Sequence, residues 1–279
     1  MAKGMSLHIG LNAVDPKHYS GWSGELVACE ADAEDMAAIA KAKKFSVKTL
    51  MTKQATRNAV VNEMARAAKT LKAGDLFFLT YSGHGGQLPD KNGDELDDHT
   101  DETWCLFDGQ VVDDELNELY TRFAKGVRVL VLSDSCHSGT VTKMAYYRSM
   151  PRVLPGATDE QPQRYRVMPP PVAIKTYRDN KAFYDPILAN VKTRDARAQV
   201  QASVLLISGC QDNQLSGDGA FNGVFTGTLL AAWNNGTFQD GYARFHRAIV
   251  RKMPPEQTPN FFRVGTLDPK FEAGPPFSI

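Results

Sequence analysis

Short, almost uninterrupted apolar runs alternate along this chain with segments of helical period, and no other feature constrains the fold as much. Ser6–Ala13 reads as a first strand, and Glu30–Ala42 as a helix with Ala33, Met36, Ala37 and Ile39 apolar. Phe45–Met51 and Arg57–Leu71 repeat the pair, and Asp75–Tyr81 (DLFFLTY) adds a third strand. Asp113–Phe123 reads as a helix and Arg128–Ser133 (RVLVLS) as a fourth strand. A strand at Val204–Ser208, helices at Val224–Asn234 and Tyr242–Met253, and a strand near Phe261–Val264 complete the series. Strands apolar on both faces belong in a mainly parallel sheet covered by helices on either side. The prediction is therefore an α/β fold, and such sheets gather functional groups at the carboxyl ends of their strands.

Two segments break the alternation. Leu88–Glu102 (LPDKNGDELDDHTDE) is too acidic to bury itself and reads as a solvated loop. Residues 144–195 are Pro-rich and basic with no clear strand, a connection of the length that is usually functional or disordered. Composition removes several functions. Lys plus Arg and Asp plus Glu each count 32, which gives no general basic surface for nucleic acid. The 4 cysteines lack CxxC or zinc-like spacing, so a reducing cytoplasm is the expected compartment. The first residues, MAKGMSLHIGLNAVD, carry no signal-peptide core, and no run reaches the roughly 18 apolar residues needed to cross a bilayer. The expectation is a soluble, cytoplasmic protein with neither nucleic acid nor membrane as partner.

Two of the strand ends carry chemistry. In Tyr81-Ser82-Gly83-His84-Gly85-Gly86 a histidine stands between glycines just past a hydrophobic strand, on a turn that permits close backbone approach. In Asp134-Ser135-Cys136-His137-Ser138-Gly139 a cysteine stands among small polar residues at the end of the next one. A thiolate is the nucleophile and a nearby imidazole its activating base. His137 is the competing base, but neighbours at a strand end point to opposite sides, which favours His84. The order, His then Cys 52 positions later, is close to the separation of about 50 found in caspases.

YSGHGG followed by DSCHSG resembles the caspase-like superfamily (peptidase C14), and within it the prokaryotic metacaspases, or orthocaspases. Cys29-Glu30-Ala31-Asp32-Ala33, the Asp101-Glu102 to Leu116 stretch and Ser208–Gln214 are similar to further segments of that family. The resemblance implies a caspase-like fold with a central, mostly parallel six-stranded sheet. It divides the single peptidase domain, 1–279, into a p20-like region over about 1–143, a linker over about 144–195 and a p10-like region over about 196–279. It also implies a cysteine endopeptidase with Cys136 as nucleophile and His84 as base. The N–H groups of Gly85 and Cys136 would form the oxyanion hole, and a backbone carbonyl would orient the imidazole.

Caspases have Gln where this chain has Asp134, and a carboxylate at the pocket floor favours Arg or Lys as the P1 residue. By resemblance Asp32, Ser82 and Cys29 line the same pocket. No cofactor is required by this chemistry. The family binds calcium through aspartates that match Asp101, Asp113 and Asp114, yet Lys143 stands where a further Asp is expected, which counts against calcium dependence. An enzyme of this specificity meets basic residues in its own linker, among them Arg148, Arg152, Arg164, Arg166, Lys175, Arg178 and Lys181, so processing between 144 and 195 is expected. The partners implied are protein substrates with a basic P1 residue and an activating or regulatory protein. The competing readings are a non-catalytic homologue acting as a binding module, and a legumain- or CHAT-like peptidase with another P1 preference.

Overall fold

A computed structural model describes residues 2–91, 100–136, 164–190, 198–210, 216–219 and 221–279. In chain order its elements are β1 (Gly4–Gly10), α1 (Cys29–Ala42), β2 (Ser46–Met51), α2 (Arg57–Thr70) and β3 (Leu76–Ser82). Then come β4 (Gly85–Pro89), β5 (Thr100–Leu106), β6 (Gly109–Val112), α3 (Asp113–Thr121), β7 (Arg128–Asp134) and β8 (Arg164–Tyr165). The second half holds α4 (Pro170–Asp179), α5 (Lys181–Asn190), β9 (Ser203–Ser208), β10 (Gly217–Asp218), α6 (Val224–Trp233), α7 (Tyr242–Val250), β11 (Asn260–Gly265) and α8 (Pro269–Ala273).

Six strands form one sheet in the order β11-β9-β7-β3-β1-β2, parallel throughout except for β11, which runs antiparallel to β9. The period of two explains how both faces are covered. Phe77, Leu79, Val129 and Val131 meet Val60, Met64 and Ala67 of α2 and Leu116 and Leu119 of α3. Their neighbours Leu76, Phe78, Leu130 and Leu132 meet Met36 and Ile39 of α1, Phe225 and Leu229 of α6 and Phe245 of α7 on the opposite face. The register pairs Gly10 with Ser82 and Ser82 with Asp134, so β1, β3 and β7 end level. That alignment brings the Gly83–Gly86 turn beside Ser135 and Cys136.

The structure differs from the sequence reading in both interrupting segments. The ends of the acidic stretch belong to β4 and β5, which with β6 make a three-stranded antiparallel sheet. Leu88 and Asp101 are buried, because these polar sequences face the body of the molecule rather than water. Residues 92–99 lie outside the described residues. In the basic segment, Pro169 to Pro171 start α4 instead of breaking the chain: proline fixes φ for a first helical turn, whose N–H groups have no helical partner anyway. Both helices are tied to the N-terminal loops. Ser20 donates to Asp179 at 2.7 Å, Asn180 donates to the His18 carbonyl at 2.9 Å, and the His18 ring meets the Tyr184 hydroxyl at 2.6 Å.

His8, in the middle of β1, is buried against Phe78, with Nδ1 3.0 Å from the Thr80 hydroxyl and no partner for Nε2. Burial pushes its pKa from 6.5 down to about 3, so the native state holds it neutral. A histidine held neutral contributes stability that is complete above its unfolded pKa and is lost as pH falls toward the folded value. Between about pH 7 and about pH 5 this residue alone removes roughly 2 kcal/mol. Urea titrations across that range should show the loss, and His8→Gln should reduce the slope by about one proton. A wild-type stability that stays level over the same interval would refute the assignment.

Candidate active site

His84 sits on the turn between β3 and β4, its carbonyl accepting from the Tyr81 hydroxyl at 2.6 Å and from Cys105 N–H at 2.9 Å. The Tyr81 ring stacks on Trp104 at 4.5 Å, which stiffens this support. The imidazole Nε2 lies 2.8 Å from the Gly24 carbonyl, an acceptor only, so Nε2 carries the proton and Nδ1 presents its lone pair. Nδ1 has no hydrogen-bond partner. Trp22 covers the ring at 4.7 Å. Burial pushes the His84 pKa down to about 4, while the backbones of Gly24 and Val167 act in the opposite direction. The ring is thus a neutral base at physiological pH.

Cys136 follows β7 as a buried free thiol whose Sγ donates to the Ser216 carbonyl at 3.6 Å and accepts from the Ser216 N–H. His137 lies outside the described residues. The two N–H groups expected to form an oxyanion hole, those of Gly85 and Cys136, both donate at 3.0 Å to a single oxygen, the carbonyl of Arg166. Arg166 N–H donates to the Ser216 carbonyl at 3.0 Å, and β8 just before it pairs antiparallel with β10. One peptide unit further along, beyond Val167, Met168 N–H donates to the Gly85 carbonyl at 2.8 Å. The chain from Arg164 to Met168 is laid through the site as an added strand, with the Arg166–Val167 bond over the turn that carries His84.

The Arg166 side chain is fully buried. Nη1 lies 2.9 Å from Asp134 and donates to Ser82 Oγ at 2.7 Å, while Nη2 lies 2.7 Å from Asp32 and 3.0 Å from Asp218. The predicted pocket residues Asp134, Asp32 and Ser82 are therefore gathered around one guanidinium. Each carboxylate is further held in place. Asp134 accepts from Ser216 Oγ at 2.7 Å and Thr226 Oγ1 at 2.8 Å; Asp32 accepts from Ser82 Oγ at 2.7 Å and Gly223 N–H at 3.0 Å. Burial raises the pKa of Asp32 to about 6, against the downward pull of Arg166. Cys29, the fourth pocket residue, is buried beside the guanidinium, and burial pushes its thiol far above the ordinary range.

Besides Ser216 and Thr226, which hold Asp134, three further contributors escaped the sequence reading. Asp218 ends β10 in the sequence Gly-Asp-Gly, the same glycine-flanked pattern that singled out His84. Gly223 has no motif, but a Cβ there would stand 2.5 Å from Arg166 Cζ and from Asp134 Oδ2, so only glycine leaves room for the guanidinium. Gln257, far along the chain, donates to Ser216 Oγ at 2.8 Å and to the Gly209 carbonyl at 2.8 Å, bracing the strand on which Arg164–Arg166 pairs.

Away from this site, Asp101, Asp113 and Asp114 converge at the start of β5 and α3, one oxygen from each within 4.8 Å of the others. Hard carboxylate oxygens at that spacing fit a divalent cation such as calcium. Lys143 lies outside the described residues, as do Arg148, Arg152 and most of Cys210–Gln214. Among the described residues, no helix is long and apolar enough to cross a membrane.

The family model of the caspase domain (Peptidase_C14) matches residues 13–271. Metacaspase-1 of Schizosaccharomyces pombe is 30% identical over 198 residues, which span 64% of this chain and 45% of that protein. Metacaspase-1 of Coccidioides immitis is 30% identical over 258 residues, 83% of this chain and 54% of the relative, so the chain spans about half the length of the curated relatives it matches. A crystal structure of a Geobacter sulfurreducens protein superposes with a TM-score of 0.89 at 60% identity, covering 99% of this chain and 98% of that one. The six-stranded sheet is that of the caspase-like fold, and the chain belongs to the peptidase C14 family of caspase domains.

Proposed function

We propose that this chain is a cysteine endopeptidase that cuts proteins after Arg or Lys, with Cys136 as nucleophile and His84 as base, and that it processes itself in the segment expected to be its linker. The observation that carries the reading is the seat of Arg166: its side chain meets three carboxylates while its carbonyl accepts from two N–H groups beside the thiol. A buried arginine in this arrangement has the form of a P1 residue in its own active site. Of the basic residues in the 144–195 segment, Arg166 is thereby chosen, and the peptide bond to be cut is Arg166–Val167.

In the reaction the Cys136 thiol cedes its proton to His84 Nδ1 and the sulfur attacks the Arg166 carbonyl carbon. The oxygen takes up the negative charge between the N–H groups of Gly85 and Cys136. His84 then passes the proton to the Val167 nitrogen, the C–N bond breaks, and Arg166 is left as a thioester on Cys136. Water, giving a proton to His84, hydrolyses the thioester and restores the thiol. The dyad uses no third side chain in this reading: the Gly24 carbonyl takes the part of the backbone group that orients the imidazole.

The site is organised within one peptidase domain, p20-like up to about residue 143 and p10-like from about residue 196. Calcium takes no step in this chemistry. Asp101, Asp113 and Asp114 would hold the ion, which would neutralise their mutual repulsion and steady the starts of β5 and α3.

The test is turnover of fluorogenic peptides ending in Arg, Lys, Asp or Asn, in calcium or in chelator. Arg and Lys peptides should exceed Asp and Asn peptides by at least about a hundredfold, because the latter leave three buried carboxylates without a cation. Activity on the Arg peptide should fall as pH drops through about 6, where Asp32 takes up a proton and ceases to attract the cation. Chelator should leave the Arg and Lys rates in place. Cleavage after Asp or Asn would sink the reading.

A further inference from the structure

Beyond the P1 residue, and resting on the reading of Arg166–Val167 as the scissile bond, we propose that the enzyme has a primed-side pocket that selects, at P2′, two positions after the cut, a long apolar residue with no branch at Cβ. Met168 occupies it. Its side chain is 2% exposed and packs with Val14, Tyr19 and Cys105, with Trp22 at the edge. These walls lie in parts of the chain far from the segment being cut, and each is fixed independently. The Tyr19 hydroxyl donates to the Leu106 carbonyl at 2.6 Å, and Cys105 N–H donates to the His84 carbonyl at 2.9 Å.

Register makes the pocket a subsite rather than a chance contact. Gly85 donates to the Arg166 carbonyl and accepts from Met168 N–H, at 3.0 and 2.8 Å, so the backbone that builds the oxyanion hole also sets where the second primed residue falls. The next residue, Gly86, provides the depth. A Cβ on it would stand 2.6 Å from Met168 Cε, and it could not lean away, because Gln110 Oε1 and Thr103 Oγ1 lie 2.7 and 3.0 Å from the same point. Gln110 and Thr103 are hydrogen-bonded to each other at 2.7 Å and both are buried. The space therefore admits an apolar chain without a branch at Cβ, such as Met or Leu, and among the described residues the polar groups at its floor, Gln110 and Thr103, already bond to each other, which leaves a carboxylate uncompensated. The remaining wall, Val172 and Ala173 of α4, stays in place after cleavage, since α4 and α5 are anchored through Asp179, Asn180 and Tyr184.

The experiment is competition among internally quenched peptides that span the cut, all with Arg at P1 and Val at P1′ and with Met, Leu, Ala or Glu at P2′. A fifth peptide carries Gln at P1 and Met at P2′. Products are read by mass spectrometry, so ratios of kcat/KM are independent of the fraction of open enzyme. Met and Leu peptides should be cut about tenfold faster than Ala and about a hundredfold faster than Glu. In Gly86→Ala the Met-to-Ala ratio should collapse toward one. Equal rates for all four P1-Arg peptides would overturn the pocket and leave the basic-P1 reading standing. Cleavage that ignores the Arg-to-Gln exchange, or no cleavage of any peptide, would overturn that reading and the pocket with it.

Discussion

Cys136→Ala is expected to yield a chain that stays whole at Arg166–Val167 and turns over Arg peptides slower by on the order of 10⁴-fold or more, the scale seen when a covalent nucleophile is removed. The loss should be specific to chemistry. Alanine fits the buried site, and the sulfur's only described partners are the backbone groups of Ser216. The Gly85 N–H and the three carboxylates remain to hold Arg166, so the variant should capture the segment it cannot cut. Intact mass after prolonged incubation and peptide kinetics read the two effects separately. Cleavage at the same bond within tenfold of the wild-type rate would show that another group attacks the carbonyl, and Cys136 would lose its role.

The sheet was legible because its strands are apolar on both faces, and the ends of β3 and β7 were legible because His84 and Cys136 interrupt that apolarity with reactive side chains. Elements whose residues are polar yet buried were not. Asp101 and Thr103 face the interior from β5, and a sequence reads them as solvated until their partners are known. The pocket divides in the same way. Asp134 and Asp32 lie beside recognisable motifs, whereas Gly223 matters only through an absent side chain next to a guanidinium 57 positions earlier. Arg166 shows the limit most sharply. The 9 basic residues between 144 and 195 are equivalent as sequence, and the register of β8 on β10 sets one of them above the carboxylates.

Arg166→Gln should act in two opposite directions at once, which makes it the sharper test of how the site is held before it works. Glutamine keeps length and polarity but brings no charge to Asp32, Asp134 and Asp218, all of them buried. Removing one partner of a buried ion cluster costs about 3–5 kcal/mol, enough to slow cleavage at this bond by a factor on the order of 10² to 10⁴. The same loss loosens the segment that fills the site. Freshly purified, uncut Arg166→Gln should therefore hydrolyse Arg peptides from the first seconds, whereas uncut wild type should show a lag that ends as its own bond is cut. Arg166→Lys should restore both cleavage and lag, since an ammonium still meets the carboxylates as a point charge. Wild-type fragments 1–166 and 167–279 should co-elute on size exclusion, because β9 pairs with β7 inside the sheet and does not depend on the broken bond. If uncut wild type shows no lag, the seated Arg166 is no barrier to substrate. If Arg166→Gln is processed at the wild-type rate, the carboxylates do not read P1.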